Sequence, residues 1–287
     1  MLLLTQFLLR LAFGLAFGML LVSPRQVTSG YYRNNLYVTL GLTALAALLC
    51  RVTAIDAFWY AVLAASASYV GSVCWLYERP TLGRAALLVI SLASLAGAMH
   101  SPANSVDATF QRSLAGKYDA VSAVTLSAAG SDVAAEVQRS FRPYLYMVVR
   151  TMRQIGVISA GLLLGTTMAA MLLGHWYLNS PTMELRPLRR LILAMGVAVA
   201  LQLLVSSLGL WGEIANVRHL STQWTLFVLL RWLFGLVGVA AMAWMAWQTL
   251  KIPNTQSATG VLYVAVIGTF VGETMSLLLS AESLFPV

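Results

Sequence analysis

Three charged residues of this sequence lie inside long apolar stretches: Arg10, Arg231 and Glu273. A charged side chain at the centre of a membrane-spanning helix costs ~2.5–3.5 kcal/mol on insertion scales. Such residues face the interior of a bundle and mark substrate paths, proton paths or ion pairs between helices. We therefore treat these three as the first candidates for a functional site, although no catalytic residue can be assigned.

Counting residues along the apolar stretches places several polar side chains at one depth. Arg231 and Glu273 each lie about eight residues from the same end of the bundle, ~12 Å deep in one leaflet. Gln202 and Arg10 fall at a similar depth. We expect Arg231 and Glu273 to contact each other or the same ligand, with Gln202 and Arg10 as the next partners to examine. Two interpretations stay open: a polar pocket for a quinone, a proton path or a substrate, and a structural ion pair.

His175 lies near the other end of its apolar stretch, beside Trp176 and Tyr177. It could hydrogen-bond a quinone or pack at the membrane interface. The other two histidines, His100 and His219, fall at stretch ends or in loops on the opposite side. Haem in a helical bundle needs facing axial ligands, so bound haem is not expected. No haem-attachment, metalloprotease or iron–sulfur motif occurs, and we expect no covalently bound cofactor and no metal.

The composition requires lipid as the solvent of the elements that carry these residues. Of 287 residues, 59% are hydrophobic and 10% are charged, whereas soluble domains carry about 25% charged residues. Each apolar stretch is long enough to cross ~30 Å of hydrocarbon as a helix. The sequence predicts an all-α integral membrane protein, a bundle of about eight transmembrane helices with both termini on one side. The predicted spans are 3–23, 35–53, 57–77, 82–99, 148–178, 188–211, 223–248 and 258–281.

Residues 100–147 interrupt this pattern with an extramembrane loop of ~45 residues between spans four and five, too polar to cross a membrane. Within it, Val106, Phe110, Leu114 and Tyr118 recur at a four-residue step that is typical of a short amphipathic helix. We expect this loop to dock other protein subunits. The chain is thus divided into a four-helix membrane half at 1–99, the loop at 100–147 and a second four-helix half at 148–287.

Two further patterns concern packing and partners. Gly161 and Gly165 form a GxxxG pattern, which lets the backbones of two helices approach closely. The net charge of +8 comes from basic residues that mostly flank apolar stretches. This arrangement is typical of topology signals and of contact with anionic headgroups. The partners expected from it are membrane lipids, and nucleic acid is not expected.

These observations favour one function and leave two alternatives. We expect a polytopic membrane subunit of a larger redox complex that binds quinone or lipid-like molecules without a haem or metal of its own, in the bacterial inner membrane. The plan resembles that of the membrane anchor subunits of quinone-linked oxidoreductases, a likeness of architecture that no motif carries. The alternatives are a secondary transporter or channel for a small solute, and a purely structural scaffold subunit.

Overall fold

A computed structural model of the chain describes residues 1–53, 55–100, 131–180, 183–216, 222–252, 254–281, 283 and 285–286. Across these residues the secondary structure is helical, and eight helices are long and apolar enough to cross a membrane. The predicted bundle of about eight spans is therefore confirmed. The helices are α1 (Leu2–Leu21), α2 (Ser29–Thr53), α3 (Phe58–Leu76), α4 (Pro80–His100), α5 (Ser131–Asn179), α6 (Arg186–Asn216), α7 (Thr222–Thr249) and α8 (Thr255–Leu279).

Two helices differ from the sequence-based expectation. α5 begins at Ser131, well before the predicted start at residue 148, and contains 49 residues. At 1.5 Å per residue it is ~74 Å long, about twice the thickness of the hydrocarbon layer. α7 is not a uniform α-helix, because its central residues Arg231–Gly238 form a π-helix.

The proposed amphipathic helix at 106–118 lies outside the described residues. The docking of a partner by residues 100–147 therefore stays a prediction.

Close packing of α1 against α5 forms the centre of the bundle. In each of these two helices 72% of the most apolar window is buried, against 28% in α2 and α7. Gly14 of α1 lies between Gly161 and Gly165 of α5, so close that a Cβ on Gly14 would be 1.8 Å from the Gly161 carbonyl oxygen. The GxxxG pattern thus lies at a contact within the chain, where any side chain would push the two helices apart.

A second buried region, which we call the aromatic cluster, consists of Tyr31, Tyr32, Trp75 and Tyr177. It lies at the face where α3 and α5 end, which we call the opposite face. The Tyr32 and Trp75 rings are stacked with centroids 3.9 Å apart. The three phenols are nearly inaccessible to solvent, and each donates a hydrogen bond to a backbone carbonyl: Tyr31 to Ala169, Tyr32 to Val22 and Tyr177 to Glu184.

Candidate functional site

Five buried polar side chains from five different helices converge near the face where α1 begins and α8 ends, which we call the C-terminal face. We call them the arginine cluster, and they are Arg10, Arg153, Gln202, Arg231 and Glu273. Each residue is between 3% and 6% exposed. Because α1 begins and α8 ends at this face, the two termini of the bundle lie on the same side, as predicted.

Glu273 forms its ion pair with Arg10, through Oε1 and Nη1. Both side chains are 6% exposed, so the pair is removed from water. Nε of Arg10 is also buried and has no hydrogen-bond partner among the described residues. Arg231 and Glu273 line the same cavity but form no ion pair within 4.0 Å, because residue counting fixes the depth of a side chain but not the side of the helix it projects from. A ligand shared by the two residues stays a prediction. Arg10, which the same count places at the same depth, is the residue that pairs with Glu273.

Arg231 is held by two neutral hydroxyl groups. Its Nη1 donates to Oγ of Ser276 at 2.6 Å, and its Nη2 donates to Oγ of Ser206 at 2.8 Å. Within the described part of the chain, no carboxylate oxygen lies within 4.0 Å of this guanidinium group. A buried charge that lacks a charged partner costs several kcal/mol. Arg231 therefore has hydrogen bonds but no counter-ion in contact.

Arg153 joins the cluster to the segment that follows α8. Its Nη2 donates to the backbone carbonyl of Ser283 and, at 3.2 Å, to that of Ser280. The same segment is fixed from two other helices. Nε1 of Trp224 donates to Oγ of Ser283 at 2.8 Å, and the amide of Phe285 donates to Oε2 of Glu213 at 3.0 Å. Ser280, Ser283 and Phe285 thus close the bundle at its C-terminal face, directly above the arginine cluster.

Two small cavities lie in contact with the cluster. The deeper one is lined by Gln202, Arg231, Thr269 and Glu273 together with glycine and aliphatic residues, and it leaves ≈ 10 Å³ for the centres of water molecules. The shallower one is lined by all three arginines, Gln202, Ser276 and the segment after α8, and it leaves ≈ 20 Å³. On this measure, one water molecule needs ~10–15 Å³. Each cavity is therefore about the size of one or two water molecules.

The π-helix fixes Arg231 relative to α8. Arg231 contacts Ser276, and four residues further along α7 a Cβ on Gly235 would be 2.5 Å from Cα of Gly272. Four residues further still, Val239 contacts the position of Gly268. These three contacts, spaced four residues apart along both helices, keep one face of α7 against α8, next to Glu273. Stretches of π-helix occur frequently at functional sites.

The other sequence-based candidates lie apart from the cluster. His175 is exposed at the opposite face, where its Nδ1 is 3.1 Å from the hydroxyl of Tyr263. Gln202 belongs to the cluster, and its Oε1 accepts a hydrogen bond from Oγ of Ser159. His219 lies outside the described residues. No three His, Cys, Asp or Glu side chains within the described ranges are arranged to hold a metal ion.

Three further residues contribute to the site and are harder to recognise from sequence. Arg153 lies near a span end, where arginine usually extends to the surface. Ser206 and Ser276 are of a residue type that is common inside membrane helices, but both fall at the level of Arg231 and accept its hydrogen bonds.

The sequence was compared with protein families, with curated proteins and with solved structures. No family matches it, and neither does any curated protein or solved structure. The proposals below therefore rest on the residues and geometry of the chain.

Proposed function

We propose that this chain binds a small monovalent anion inside the membrane at the arginine cluster and transports it. One observation carries the proposal. Arg231 is 3% exposed and has only neutral partners in contact. The three arginines line one cavity, which leaves ≈ 20 Å³ for the centres of water molecules. An anion in that cavity would place a negative charge in direct contact with Arg231, and it would be held by charge-assisted hydrogen bonds, which are stronger than neutral ones.

The position of the cavities supports transport over static binding. The shallower cavity adjoins Ser280 and Pro286 at the C-terminal face, and the deeper cavity extends to Thr269 and Gly272. Gln202 and Arg231 line both. Together they favour a path that enters from one face. Such a path and the π-helix in α7 are features expected of a solute-binding membrane protein rather than of a scaffold.

Anion binding can be measured with the purified full chain in lipid nanodiscs. Isothermal titration with sodium chloride, nitrate or formate should give saturable binding, and sodium gluconate, which is too large for the cavity, should give none. Arg231→Gln should lose the binding, while Arg186→Gln is the matched control because Arg186 is exposed at the opposite face. Saturable binding that is equal in wild type and Arg231→Gln would overturn the assignment of the site.

Transport is tested in proteoliposomes loaded with potassium chloride and diluted into potassium gluconate. With valinomycin present to balance charge, the wild type should release chloride faster than protein-free liposomes, and Arg231→Gln should not. If chloride binds but is released no faster than from empty liposomes, the chain binds the anion without transporting it.

We propose as a second candidate that the chain is a subunit of a larger complex, which was the leading expectation from sequence. The observation that favours it is α5, whose 49 residues extend well beyond one membrane thickness. A helix that projects from a bundle offers a docking surface outside the bilayer. If residues 104–138 are deleted, the complex that contains this chain should have a lower mass when proteins extracted from the source membrane are separated on a native gel. An unchanged mass would remove this candidate.

The redox character of that complex and the binding of quinone or another lipid-like molecule also stay predictions. The volumes of the two cavities favour a small ion over a quinone ring. Extraction of the purified protein with organic solvent, followed by chromatography, would decide whether quinone accompanies it.

A further inference from the structure

We propose that Ser283, Phe285 and Pro286, which follow α8, form a gate over the anion site, and that a bound anion favours its opening. We call these three the closing residues. The inference rests on the proposed anion site and adds to it the regulation of access. In the structure the gate is closed, because Ser283 is 0% and Phe285 is 4% exposed, and Pro286 lines the shallower cavity.

An anion reaches the arginine cluster only if part of the chain moves. The three arginines are between 3% and 5% exposed, so the closed structure gives an anion little access to them. The described residues that line the shallower cavity lie within helices, apart from Ser280 at the end of α8 and Pro286. Moving a helix would separate close backbone contacts such as that between Gly14 and Gly161. The closing residues lie beyond α8, so their displacement leaves the helices packed.

The closing residues pack against three glycines. On α6, a Cβ on Gly209 would be 1.7 Å from the carbonyl oxygen of Pro286, and a Cβ on Gly212 would be 3.0 Å from the ring of Phe285. On α5, a Cβ on Gly156 would be 3.3 Å from Cβ of Pro286. Because a glycine presents only backbone, no side chain at these positions has to withdraw when the closing residues leave.

Hydrogen bonds from three other helices hold the closing residues in place. Nη2 of Arg153 donates to the carbonyl of Ser283, and Nε1 of Trp224 donates to Oγ of Ser283 at 2.8 Å. The amide of Phe285 donates to Oε2 of Glu213 at 3.0 Å. Of these three partners only Arg153 lines the cavity proposed for the anion. Arg153 is therefore the residue through which an anion acts on the gate.

The exchange of acceptors at Arg153 couples binding to opening. A carbonyl oxygen is a neutral acceptor, and a hydrogen bond from a guanidinium group to an anion is roughly twice as strong as one between neutral groups. In the open state Nη2 of Arg153 is released from Ser283, so the site binds an anion more tightly than in the closed state. A ligand shifts an equilibrium toward the state that it binds better. Anion binding and opening therefore favour each other.

The first measurement is the rate at which a water-soluble maleimide labels position 283 in nanodiscs. Ser283→Cys is made together with Cys50→Ala and Cys74→Ala, so that the chain carries one thiol. Because Ser283 is 0% exposed, labelling should be slow in sodium gluconate. It should become ~10-fold faster as sodium chloride saturates the site, a size typical of coupling between two equilibria. Ser68→Cys on α3, also at a position 0% exposed, is the matched control and should label slowly in both salts.

A disulfide between the closing residues and α5 gives the second measurement. The distance of 3.3 Å between the Cβ positions of residues 156 and 286 is close to the ~3.5–4.5 Å found in disulfides. Gly156→Cys with Pro286→Cys, in the same cysteine-free background, is oxidised in gluconate, and the loss of free thiols reports the bond. The oxidised protein should bind no chloride in an isothermal titration, and dithiothreitol should restore binding.

A disulfide elsewhere in the bundle is the matched control. A Cβ on Gly71 of α3 would be 3.1 Å from Cβ of Ala86 on α4. Gly71→Cys with Ala86→Cys should therefore also form a bond on oxidation, and neither position lines either cavity. Chloride binding by this variant should be the same before and after oxidation. The elution profile on a sizing column establishes that each variant is folded.

The outcomes separate the gate from the anion site. If the wild type binds no anion, the proposed function fails and the gate fails with it. If the wild type binds chloride but the disulfide between positions 156 and 286, once formed, leaves binding unchanged, the anion site stands and the gate is wrong. The gate is also overturned if Ser283→Cys binds chloride but is labelled at the same rate with and without it, a result that does not depend on the disulfide.

Discussion

The two faces of the bundle bury polar groups in different ways. At the opposite face, the aromatic cluster uses neutral phenols, and Tyr31, Tyr32 and Tyr177 each donate to a backbone carbonyl of the chain. At the C-terminal face, the arginine cluster uses charged groups. There the described residues place no carboxylate in contact with Arg231, and Nε of Arg10 has no partner.

This difference separates a region built for stability from one that has room for a ligand. A buried phenol with an acceptor has its one donor satisfied, and nothing further is needed. A buried guanidinium group with neutral acceptors has hydrogen bonds but no charged group in contact, and an anion that arrives offsets part of the cost of burying it. The ion pairs show the same contrast, because Glu184 and Arg186 are 3.9 Å apart and exposed, whereas Arg10 and Glu273 are buried.

The largest effect is expected at Arg10. Arg10→Gln leaves the Glu273 carboxylate buried without its partner, and breaking a buried pair in this way costs ~3–5 kcal/mol. The thermal unfolding midpoint in detergent should drop, and Arg10→Gln combined with Glu273→Gln should recover most of the loss. Arg186→Gln, which removes one partner of the exposed pair, should change stability by less than ~1 kcal/mol. Equal effects at the two arginines would remove the contrast between the faces.

A smaller effect, on binding rather than stability, is expected at Arg231. Arg231→Gln keeps a donor for Ser206 or Ser276 but removes the charge. Chloride affinity should fall at least ~10-fold, which corresponds to ~1.4 kcal/mol. The unfolding midpoint without chloride should stay the same or rise, because no contact with a carboxylate is lost. A large drop in that midpoint would instead indicate that Arg231 serves the fold.

The effect expected in the aromatic cluster is smaller again. Tyr32→Phe removes the hydrogen bond of 2.8 Å to the Val22 carbonyl while keeping the ring stacked on Trp75. Stability should fall by ~1 kcal/mol, the usual contribution of one hydrogen bond. Chloride binding, measured by titration, should be unchanged. If it weakened, the two faces would be coupled through the bundle rather than independent.

The smallest effect is expected at the exposed pair of Tyr263 and His175. Tyr263→Phe removes a hydrogen bond of 3.1 Å at a surface position. The change in stability should be within ~0.5 kcal/mol, and chloride binding should not change. A large loss of any measured activity in this variant would indicate that His175 has a functional role.

The spans were predictable from sequence because hydropathy is a property of each segment alone. The predicted and observed positions of α1 and of α3 differ by only one or two residues at each end. The start of α5 was missed because its first residues are polar, and no apolar run marks where a helix begins outside the membrane. The π-helix was missed because Arg231–Gly238 is as apolar as its surroundings, and a change from i−4 to i−5 hydrogen bonds leaves no mark on composition.

The depth of the site residues in the membrane could be predicted from the sequence, but which of them contact each other could not. Arg10, Gln202, Arg231 and Glu273 were placed at one level from 1.5 Å per residue, and the structure brings all four together. Which cation meets Glu273 depends on how α1 and α7 are rotated about their axes. That rotation is set by close contacts such as Gly235 with Gly272 and Gly14 with Gly165. Contacts between residues so distant in sequence cannot be inferred from spacing in a single chain.

The ion pair between Arg10 and Glu273 joins residues 263 positions apart in the chain. At a synthesis rate of ~5–20 residues per second, Glu273 leaves the ribosome about 13–50 s after Arg10. During that interval α1 must enter the membrane with an arginine whose carboxylate has not yet been made. Until Glu273 is synthesised, the Arg10 guanidinium group can extend toward the nearby C-terminal face, where headgroups and water solvate it. Formation of this pair is therefore among the last steps of assembly, and it draws the first and the last helix of the bundle together.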